Sequence, residues 1–264
     1  MVNTQLRPGV LLVDAGNSAV KWGFTSDQDH ITLLRESYPE NIQDIFFKAL
    51  WSNEKKPIAV YVSCVANELV WNTIEQACLV LWGVNPVRVV SSQQGLGVTN
   101  AYLETTDLGS DRWCAILAAN QQADNSACIV IDCGTAITID VVEPSGQHCG
   151  GYILPGLIMM QRSLGMLTAN IKLDKDATDQ LSLAPAVSTT DCVLSGSHLA
   201  AVAAIEFVVM EQQKKYGRVK SCLTGGDASS VSGLLSVKHE VIPELVLLGL
   251  ALIAADELNA KKRE

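Results

Sequence analysis

The chain has 264 residues, of which 48% are hydrophobic, and a formal net charge of −9 at pH 7. This length suffices for one large or two modest domains with cores of their own, and the hydrophobic content excludes an intrinsically disordered chain. The acidic balance argues against a surface for nucleic acid or an anionic membrane, because both require clustered basic residues.

Targeting and redox signals point to the cytoplasm. Residues 1–9 lack the apolar core of a secretory signal. The apolar stretch Leu245–Ala255 is shorter than the roughly 20 residues that a membrane-spanning helix needs. The eight cysteines are scattered and form no C-x-x-C pair, as in reduced cytosolic proteins. The four histidines show no metal-ligand spacing, so no zinc site is predicted.

The first predicted element is a strand, turn and strand over residues 10–24, VLLVDAGNSAVKWGF. An apolar run ends at Asp14, a turn follows at Gly16, and an alternating run leads to Phe24. Phosphate groups are bound by backbone N–H groups and small hydroxyls, and glycine lets the backbone come close enough. A carboxylate beside such a turn can hold a hard cation. The pattern therefore predicts a phosphate-binding loop.

The rest of the first lobe alternates strands with helices. Apolar residues recur at helical spacing in two segments, and a fully apolar run between them is typical of a buried strand in a parallel sheet. The predicted strand, helix, strand, helix and strand cover residues 31–36, 41–51, 58–65, 67–81 and 86–90. The lobe thus has the order β-β-β-α-β-α-β.

Residues 91–109 are polar and show no clear period, so we interpret them as the passage between two lobes. A helix over residues 110–122 follows and carries Asp111 and Arg112 in its first turn. This pair could supply a base and a substrate clamp. The alternative is that Asp111 only complements the helix dipole, as acidic residues in a first helical turn commonly do.

Residues 129–140, IVIDCGTAITID, repeat the layout of the first loop. Asp132 ends an apolar run, Gly134 and Thr135 form the turn, and a second run follows at once. Either loop alone is compatible with an ordinary hairpin turn. The two copies lie about one domain's length apart in the sequence. A layout repeated at this spacing predicts duplicated lobes that face each other across a cleft.

The second lobe continues in the same style. A strand, a helix, a polar loop, a long helix and a strand are predicted over residues 150–156, 157–168, 174–190, 191–216 and 219–223. The last strand runs into Thr224-Gly225-Gly226-Asp227, a third place where backbone N–H groups can face a nucleotide. A short strand at 241–242 and a final helix close this lobe. The fold class is α/β, with predicted domains 1–108 and 109–264.

These loops favour a nucleoside triphosphate as ligand. The chain lacks the P-loop and the G-x-G-x-x-G motifs, so neither of those nucleotide folds is predicted. Phosphoryl transfer needs positioning, charge neutralisation and a base for the attacking hydroxyl. Asp14 and Asp132 could arrange cations. Phosphate contacts are expected from Asn17, Ser18, Lys21, Thr135 and Thr138.

Taken in order, five segments resemble the type III pantothenate kinase family, within the superfamily that includes actin and the sugar kinases. The segments are Asp14–Ser18 with Lys21, Gly109–Arg112, Asp132–Asp140, Gly150–Gly156 and Thr224–Asp227. Each is unspecific alone, but together they extend over nearly the whole chain. The resemblance implies two duplicated actin-like, ribonuclease H-like lobes around a nucleotide cleft.

The resemblance also implies the reaction and the residues that serve it. ATP would be the donor for phosphorylation of pantothenate, the first step of coenzyme A synthesis, with Asp111 as the catalytic base. The implied ATP-binding residues are Asp14, Ala15, Gly16, Asn17, Ser18, Ala19, Val20, Lys21, Thr135, Gly225 and Gly226. The implied substrate-binding residues are Tyr102, Gly109, Ser110, Asp111, Arg112 and Thr189.

The family further implies cofactors and an assembly. Mg²⁺ would accompany ATP, and Asp132 would be the ligand of a monovalent cation, K⁺ or NH₄⁺. Members of the family are cytoplasmic homodimers whose partner subunit completes the substrate site, and the resemblance implies the same here. The acidic net charge adds that no nucleic acid or membrane partner is expected.

The chain departs from the family pattern at three places. Glu104-Thr105 stand where Asn-Pro is usual after the tyrosine, Ser18 replaces a commoner Thr, and Ser188-Thr189 replace an Asn-Thr start. None of these changes removes a proposed catalytic group. Two alternatives stay open. One is an accessory or regulatory protein that keeps the fold without the chemistry. The other keeps the nucleotide cleft but changes the reaction, as a kinase for a different small hydroxyl compound or a phosphatase, since acceptor choice depends on loops.

Overall fold

The computed structural model describes residues 9–25, 31–39, 41–42, 45–168, 170–174 and 181–261. The chain divides into two compact units. The first unit comprises Met1–Gln122 with Glu244–Glu264, and the second comprises Ala123–Pro243. Strands and helices alternate in both units, so the predicted α/β class is confirmed.

The elements up to residue 122 follow the predicted order. They are β1 (Val10–Ala15), β2 (Ala19–Phe24), β3 (Leu34–Ser37), α1 (Phe46–Leu50), β4 (Ala59–Cys64), α2 (Glu68–Trp82), β5 (Val87–Arg88), β6 (Gln94–Gly95), β7 (Val98–Thr99), a 3₁₀ turn (Thr105–Asp107) and α3 (Ser110–Gln121). Helix α2 starts at a side-chain cap, where Asn67 accepts a hydrogen bond from the N–H of Val70.

The remaining elements complete the second unit and return to the first. They are β8 (Ala127–Cys133), β9 (Ala136–Val142), β10 (His148–Pro155), α4 (Leu157–Leu167), α5 (Thr189–Tyr216), β11 (Val219–Thr224), α6 (Ala228–Ser232), β12 (Glu240–Val241) and α7 (Leu245–Ala260). Of these, α7 alone belongs to the first unit.

The two units share one sheet topology, which confirms the predicted duplication. The sheet of the first unit has the strand order β3-β2-β1-β4-β5, and that of the second has the order β10-β9-β8-β11-β12. In each, the central strand pairs antiparallel with the next strand of the chain and parallel with a strand that follows a helix. Parallel pairing requires a crossover connection, and helices supply it in both units.

Three features differ from the expectations. The helix predicted over residues 41–51 is only α1, Phe46–Leu50, and Gln43 and Asp44 lie outside the described residues. The stretch 91–109 contains the hairpin β6–β7 and a 3₁₀ turn. The units divide after Gln122 rather than after residue 108, because α3 and α7 pack on the first unit, α7 against β1, β4 and α3.

Helix α5 is long and apolar enough to cross a membrane by length and composition alone. In the structure 44% of its apolar window is buried inside the protein. It packs against β8 and β11 of its own unit, and Ile205 and Val209 are fully buried there. Its apolar character is therefore accounted for in good part by the core of the second unit.

Helices α3 and α7 meet at Gly249. A Cβ atom at this position would collide with the carbonyl oxygen of Cys114 and lie 2.7 Å from the Cys114 Cα. Only a residue without a side chain allows two helix backbones to approach so closely. The contact places α3, and with it Asp111, relative to the sheet of the first unit.

We predict that Gly249→Ala destabilises the first unit by about 1–3 kcal/mol, because the new methyl group forces the two helices apart. At an open helix position the same change stabilises by up to about 1 kcal/mol, so the sign of the effect is diagnostic. All five tryptophans of the chain lie in the first unit, so urea unfolding followed by tryptophan fluorescence reports on that unit.

The matched control is Asp256→Ala, an exposed position on the same helix. Its free energy of unfolding should stay within about 0.5 kcal/mol of wild type. A Gly249→Ala variant as stable as wild type would show that the close helix contact does not constrain α3.

Candidate active site

The first predicted loop begins at a buried carboxylate. Asp14 is only 7% exposed near the end of β1. In the sheet it lies opposite Lys21 of β2 and beside Ser63 of β4. Residues directly paired across strands project from the same face of a sheet. Lys21 and Ser63 therefore flank Asp14 on one face of the first sheet.

The turn after β1 is short and partly open. The N–H of Gly16 donates to the carbonyl of Ala19 over 3.1 Å, and Asn17 and Ser18 between them are exposed. The N–H of Tyr38 donates to the carbonyl of Ser18 and fixes the turn from the side.

Ala15 and Val20, on either side of that turn, are fully buried in the core of the first unit. These two predicted ATP-binding residues can therefore offer only their backbone to a ligand.

A buried pair of serines joins this face to α3. The hydroxyl oxygens of Ser63 and Ser110 are 2.9 Å apart, so one donates to the other. The Ser110 hydroxyl, predicted to bind substrate, is thus turned inward. Ser63 was missed by the sequence analysis, because a serine inside an apolar strand gives no signal of its own.

Two of the predicted carboxylates are linked by the serine pair, because Ser63 pairs with Asp14 across the sheet and Ser110 directly precedes Asp111. The pKa of the nearby Cys114 thiol is raised well above its ordinary value, first by complete burial and then by the negative charges of Asp14 and Asp111. The structure brings a predicted phosphate-loop residue and the predicted base to one place in the first unit.

Asp111 lies at the start of α3, where Gly109 is the N-terminal cap residue. Its Oδ1 accepts a hydrogen bond of 2.7 Å from the N–H of Arg112. The side chain is half-buried, so it keeps a face toward solvent. A carboxylate held against a helix N-terminus by a backbone N–H is fixed in orientation and can accept a proton from a neighbouring hydroxyl.

The next two predicted substrate residues are in direct contact. Arg112 is 8% exposed, and its Nη1 donates to the hydroxyl of Tyr102 over 3.0 Å. The guanidinium also lies 5.7 Å from the centre of the Tyr102 ring, within range of a cation–π interaction. The tyrosine therefore limits how the cation can move, which suits a group that binds an anion.

In the second unit, the predicted loop that follows Asp132 and the predicted loop Thr224–Asp227 meet at Gly225. This residue has a φ of +101°, and a Cβ there would lie 2.5 Å from Oδ1 of Asp132. The N–H of Asp227 donates to the carbonyl of Cys133 over 2.8 Å. Glycine is required because a side chain would be strained by the backbone angle and would also strike the Asp132 carboxylate.

A second thiol reports a second pair of carboxylates. The pKa of Cys133 is raised to about 12, mainly by burial and then by the charges of Asp132 and Asp227. Asp227 was quoted in the sequence pattern but not assigned to the site. Its proximity to Asp132 follows from the parallel pairing of β11 with β8, which no local pattern reveals.

Thr135 and Gly226 are exposed at the ends of their loops. The carbonyl of Thr135 accepts a hydrogen bond from the N–H of Gly156, so the start of α4 supports the second loop. Thr138 pairs with Asp132 across β8 and β9 and lies on the same face. These predicted phosphate contacts lie at one end of the second sheet.

Thr189 is the first residue of α5 and is exposed. Ser188 caps the helix by accepting from the N–H of Asp191 over 3.1 Å. Both line a cavity of about 690 Å³ between α4 and α5 within the second unit. The cavity also has apolar walls, formed in part by Met160 and Leu164.

The carboxylates suit hard cations, which take oxygen ligands. Among the residues that the structure describes, no group of three or more His, Cys, Asp or Glu side chains could hold a metal by itself. Asp14 and Asp132 each offer carboxylate oxygens of the kind that such cations take.

Comparisons with known proteins identify relatives of this chain. The sequence model of the family described as type III pantothenate kinase matches residues 10–211. A type III pantothenate kinase of Nitrosococcus oceani is 35% identical over 265 residues, which cover 96% of each chain.

Two solved structures resemble the fold. A Campylobacter jejuni protein described as a conserved Baf family transcriptional activator has a TM-score of 0.58 at 18% identity, covering 94% of this chain and 99% of that one. The activator of 2-hydroxyisocaproyl-CoA dehydratase from Clostridium difficile, with bound ADPNP, has a TM-score of 0.53 at 12% identity, covering 96% and 97%. At these identities both show the fold alone.

We predict that no more than two of the eight thiols, Cys149 and Cys192, react rapidly with a disulfide reagent at pH 8. These two are exposed and the other six are buried. The thiolate is the reactive form, and a pKa of about 12 leaves about one part in 10⁴ of Cys133 as thiolate at pH 8.

The measurement is the rate of thiol release in native protein and in denaturant, where all eight should react. The control is a Cys149→Ser, Cys192→Ser double variant, which should show no fast phase. A fast third thiol would mean that at least one of the six buried thiols is accessible in solution.

Proposed function

The chain belongs to the type III pantothenate kinase family, and we infer from this that it transfers the γ-phosphoryl group of ATP to pantothenate in coenzyme A biosynthesis. The observation in the structure that best supports the proposal is the 2.9 Å contact between Ser63, which pairs with Asp14 across the sheet, and Ser110, which directly precedes Asp111. A base for the acceptor hydroxyl then lies near a carboxylate suited to the cation that accompanies ATP.

We propose that Asp111 is the catalytic base. Its carboxylate accepts the proton of the primary hydroxyl of pantothenate as that oxygen bonds to the γ-phosphorus, and the bond to the bridging oxygen of ADP breaks. The hydrogen bond from the Arg112 N–H to Oδ1 supports this role, since it orients the carboxylate. Positioned bases of this kind contribute about 10²–10⁴-fold to rate.

Pantothenate carries a carboxylate, which calls for a cation in the substrate site. Arg112 supplies a buried guanidinium held by Tyr102, and a planar guanidinium pairs well with a carboxylate. Gly109 and Ser110 would border the acceptor hydroxyl through the backbone of the first turn of α3. Thr189 is proposed as a further substrate contact, supported by its exposure at the rim of a cavity in the second unit.

The proposed ATP contacts come from exposed turns. Residues 14–21 would bind phosphate through the backbone of the turn, the hydroxyl of Ser18 and the ammonium of Lys21. Thr135, Gly225 and Gly226 would add a hydroxyl and backbone N–H groups in the second unit. The exposed members of this set are Asn17, Ser18, Thr135 and Gly226, and their position at the ends of strands supports these roles.

Two cations are proposed. Mg²⁺ with ATP would neutralise charge on the phosphates during transfer, and Asp14 fits such an ion. Asp132 would hold a monovalent cation, K⁺ or NH₄⁺, supported by the second carboxylate of Asp227 beside it.

We propose a cytoplasmic homodimer. Support comes from large apolar side chains that α4 and α5 leave exposed, with Met166, Leu167 and Phe207 at 80%, 83% and 64% exposure. Ile158, Met159, Leu199 and Met210 add to these. Several large apolar side chains exposed on two helices that pack together are typical of a protein interface.

We predict that Asp111→Asn lowers kcat by at least about 10²-fold, because the amide cannot accept the proton. The affinity for ATP and the melting temperature should change little. The measurement is coupled ADP release with magnesium-ATP and pantothenate, and the control is Asp107→Asn, an exposed carboxylate in the neighbouring 3₁₀ turn. Wild-type turnover in Asp111→Asn would make Asp111 a helix-start residue only.

The same assay tests the function when wild-type protein is run with and without pantothenate, in K⁺ and in Na⁺. We expect ADP release to require pantothenate and to be faster in K⁺. ADP release that pantothenate does not change, from folded protein, would favour an accessory protein or a different acceptor.

The assembly is tested by sedimentation equilibrium. Phe207→Glu should dissociate the dimer, because it inserts a charge into the apolar surface of α5. Val80→Glu, at an exposed apolar position of the first unit, is the matched control and should leave the dimer intact. A wild-type monomer at micromolar concentration would overturn this part of the proposal.

A further inference from the structure

One buried side chain organises the segment that carries Tyr102. Residues 91–109 read as polar and without period, yet Asn100 in their middle is only 3% exposed. It follows β7 directly and precedes Tyr102 by two residues. An asparagine is seldom buried unless its amide is hydrogen-bonded, so its partners indicate what it does.

The Asn100 side chain joins three separate points of the segment. Its Oδ1 accepts from the N–H of Tyr102 over 3.0 Å. Its Nδ2 donates to the carbonyl of Ser92 over 3.2 Å and to that of Thr105 over 3.4 Å. The backbone adds to this network, since the Asn100 N–H donates to the carbonyl of Gln93 over 2.9 Å.

These hydrogen bonds position both Tyr102 and the 3₁₀ turn that leads to α3. Tyr102 receives its backbone position from Asn100 and in turn holds the guanidinium of Arg112 through its hydroxyl. Thr105 begins the 3₁₀ turn that leads to Gly109 and α3. Asn100 therefore lies at the centre of the segment that sets the Tyr102–Arg112 pair.

We infer that Asn100 is a positioning residue for the substrate carboxylate, acting through Tyr102 on Arg112. The inference rests on the proposed function for the identity of the substrate. No other residue type of this size supplies both the acceptor for the Tyr102 N–H and two donors for carbonyl oxygens. A residue that merely stabilised the segment would affect folding without selecting one substrate.

The test uses Asn100→Asp, which places a carboxylate oxygen against the carbonyl oxygens of Ser92 and Thr105, so that repulsion displaces the side chain from the Tyr102 N–H. We expect the KM for pantothenate to rise about 10-fold, a loss of about 1.4 kcal/mol of binding. The KM for ATP should stay within about 2-fold, because the ATP contacts lie elsewhere. Asn85→Asp, the same change at an exposed site of the first unit, should leave both constants unchanged.

A double-mutant cycle separates positioning from simple stability. If Asn100 acts through Tyr102, then Asn100→Asp should raise the pantothenate KM by less than about 2-fold when Tyr102→Phe is already present. Equal effects of Asn100→Asp in both backgrounds would overturn the inference. An equal rise of the KM for pantothenate and the KM for ATP in Asn100→Asp would also overturn it.

Hydrogen exchange provides a readout that needs no turnover. In Asn100→Ala the amide of Tyr102 loses its acceptor, and its exchange should speed up by at least about 10-fold while amides of α2 keep their rates. Unchanged exchange at Tyr102 would overturn the inference. Wild-type protein without pantothenate-dependent turnover would instead overturn the proposed function, and the exchange result would still decide whether Asn100 positions Tyr102.

Discussion

The place of helix α3 depends on a backbone contact that only glycine permits. Because Gly249 has no side chain, α7 can lie against the Cys114 carbonyl and hold α3 on the first sheet. The serine pair Ser63–Ser110 then fixes the first turn of that helix beside the end of β1. Asp111 comes near Asp14 as a consequence of these two contacts. A phosphoryl-transfer site needs this rigidity, because positioning supplies much of its rate.

The two units use one topology for related tasks. In each, burial and the charges of two carboxylates raise the pKa of a thiol, that of Cys114 in the first unit and that of Cys133 in the second. In the first unit one of these carboxylates begins a helix beside Arg112, which suits proton transfer and substrate binding. In the second unit Asp132 lies near the end of β8 against Gly225, and Asp227 is the cap residue before α6, which suits a cation. The shared topology thus presents two pairs of carboxylates, for which we propose different roles.

Much of this could be predicted from the sequence, and the limits have physical causes. The hairpins at Asp14 and Asp132 were predicted because apolar runs, a carboxylate and a glycine lie close together in the chain. The boundary between the units could not be predicted, because α7 follows the second unit in the sequence but belongs to the first. Ser63 and Asp227 were missed as site residues, because their roles arise from a hydrogen bond and strand pairing across long sequence separations. Asn100 was missed because its partners are backbone groups of a segment that shows no period.

The proposed reaction is the phosphorylation of pantothenate with Asp111 as the base. Mass spectrometry of pantothenate after incubation with magnesium-ATP tests it most directly. Wild-type protein should convert pantothenate to a product that carries one added phosphoryl group on its primary hydroxyl, with one ADP formed per product, and Asp111→Asn should form it at least about 10²-fold more slowly. Unmodified pantothenate after incubation with folded, ATP-binding wild-type protein would contradict the account.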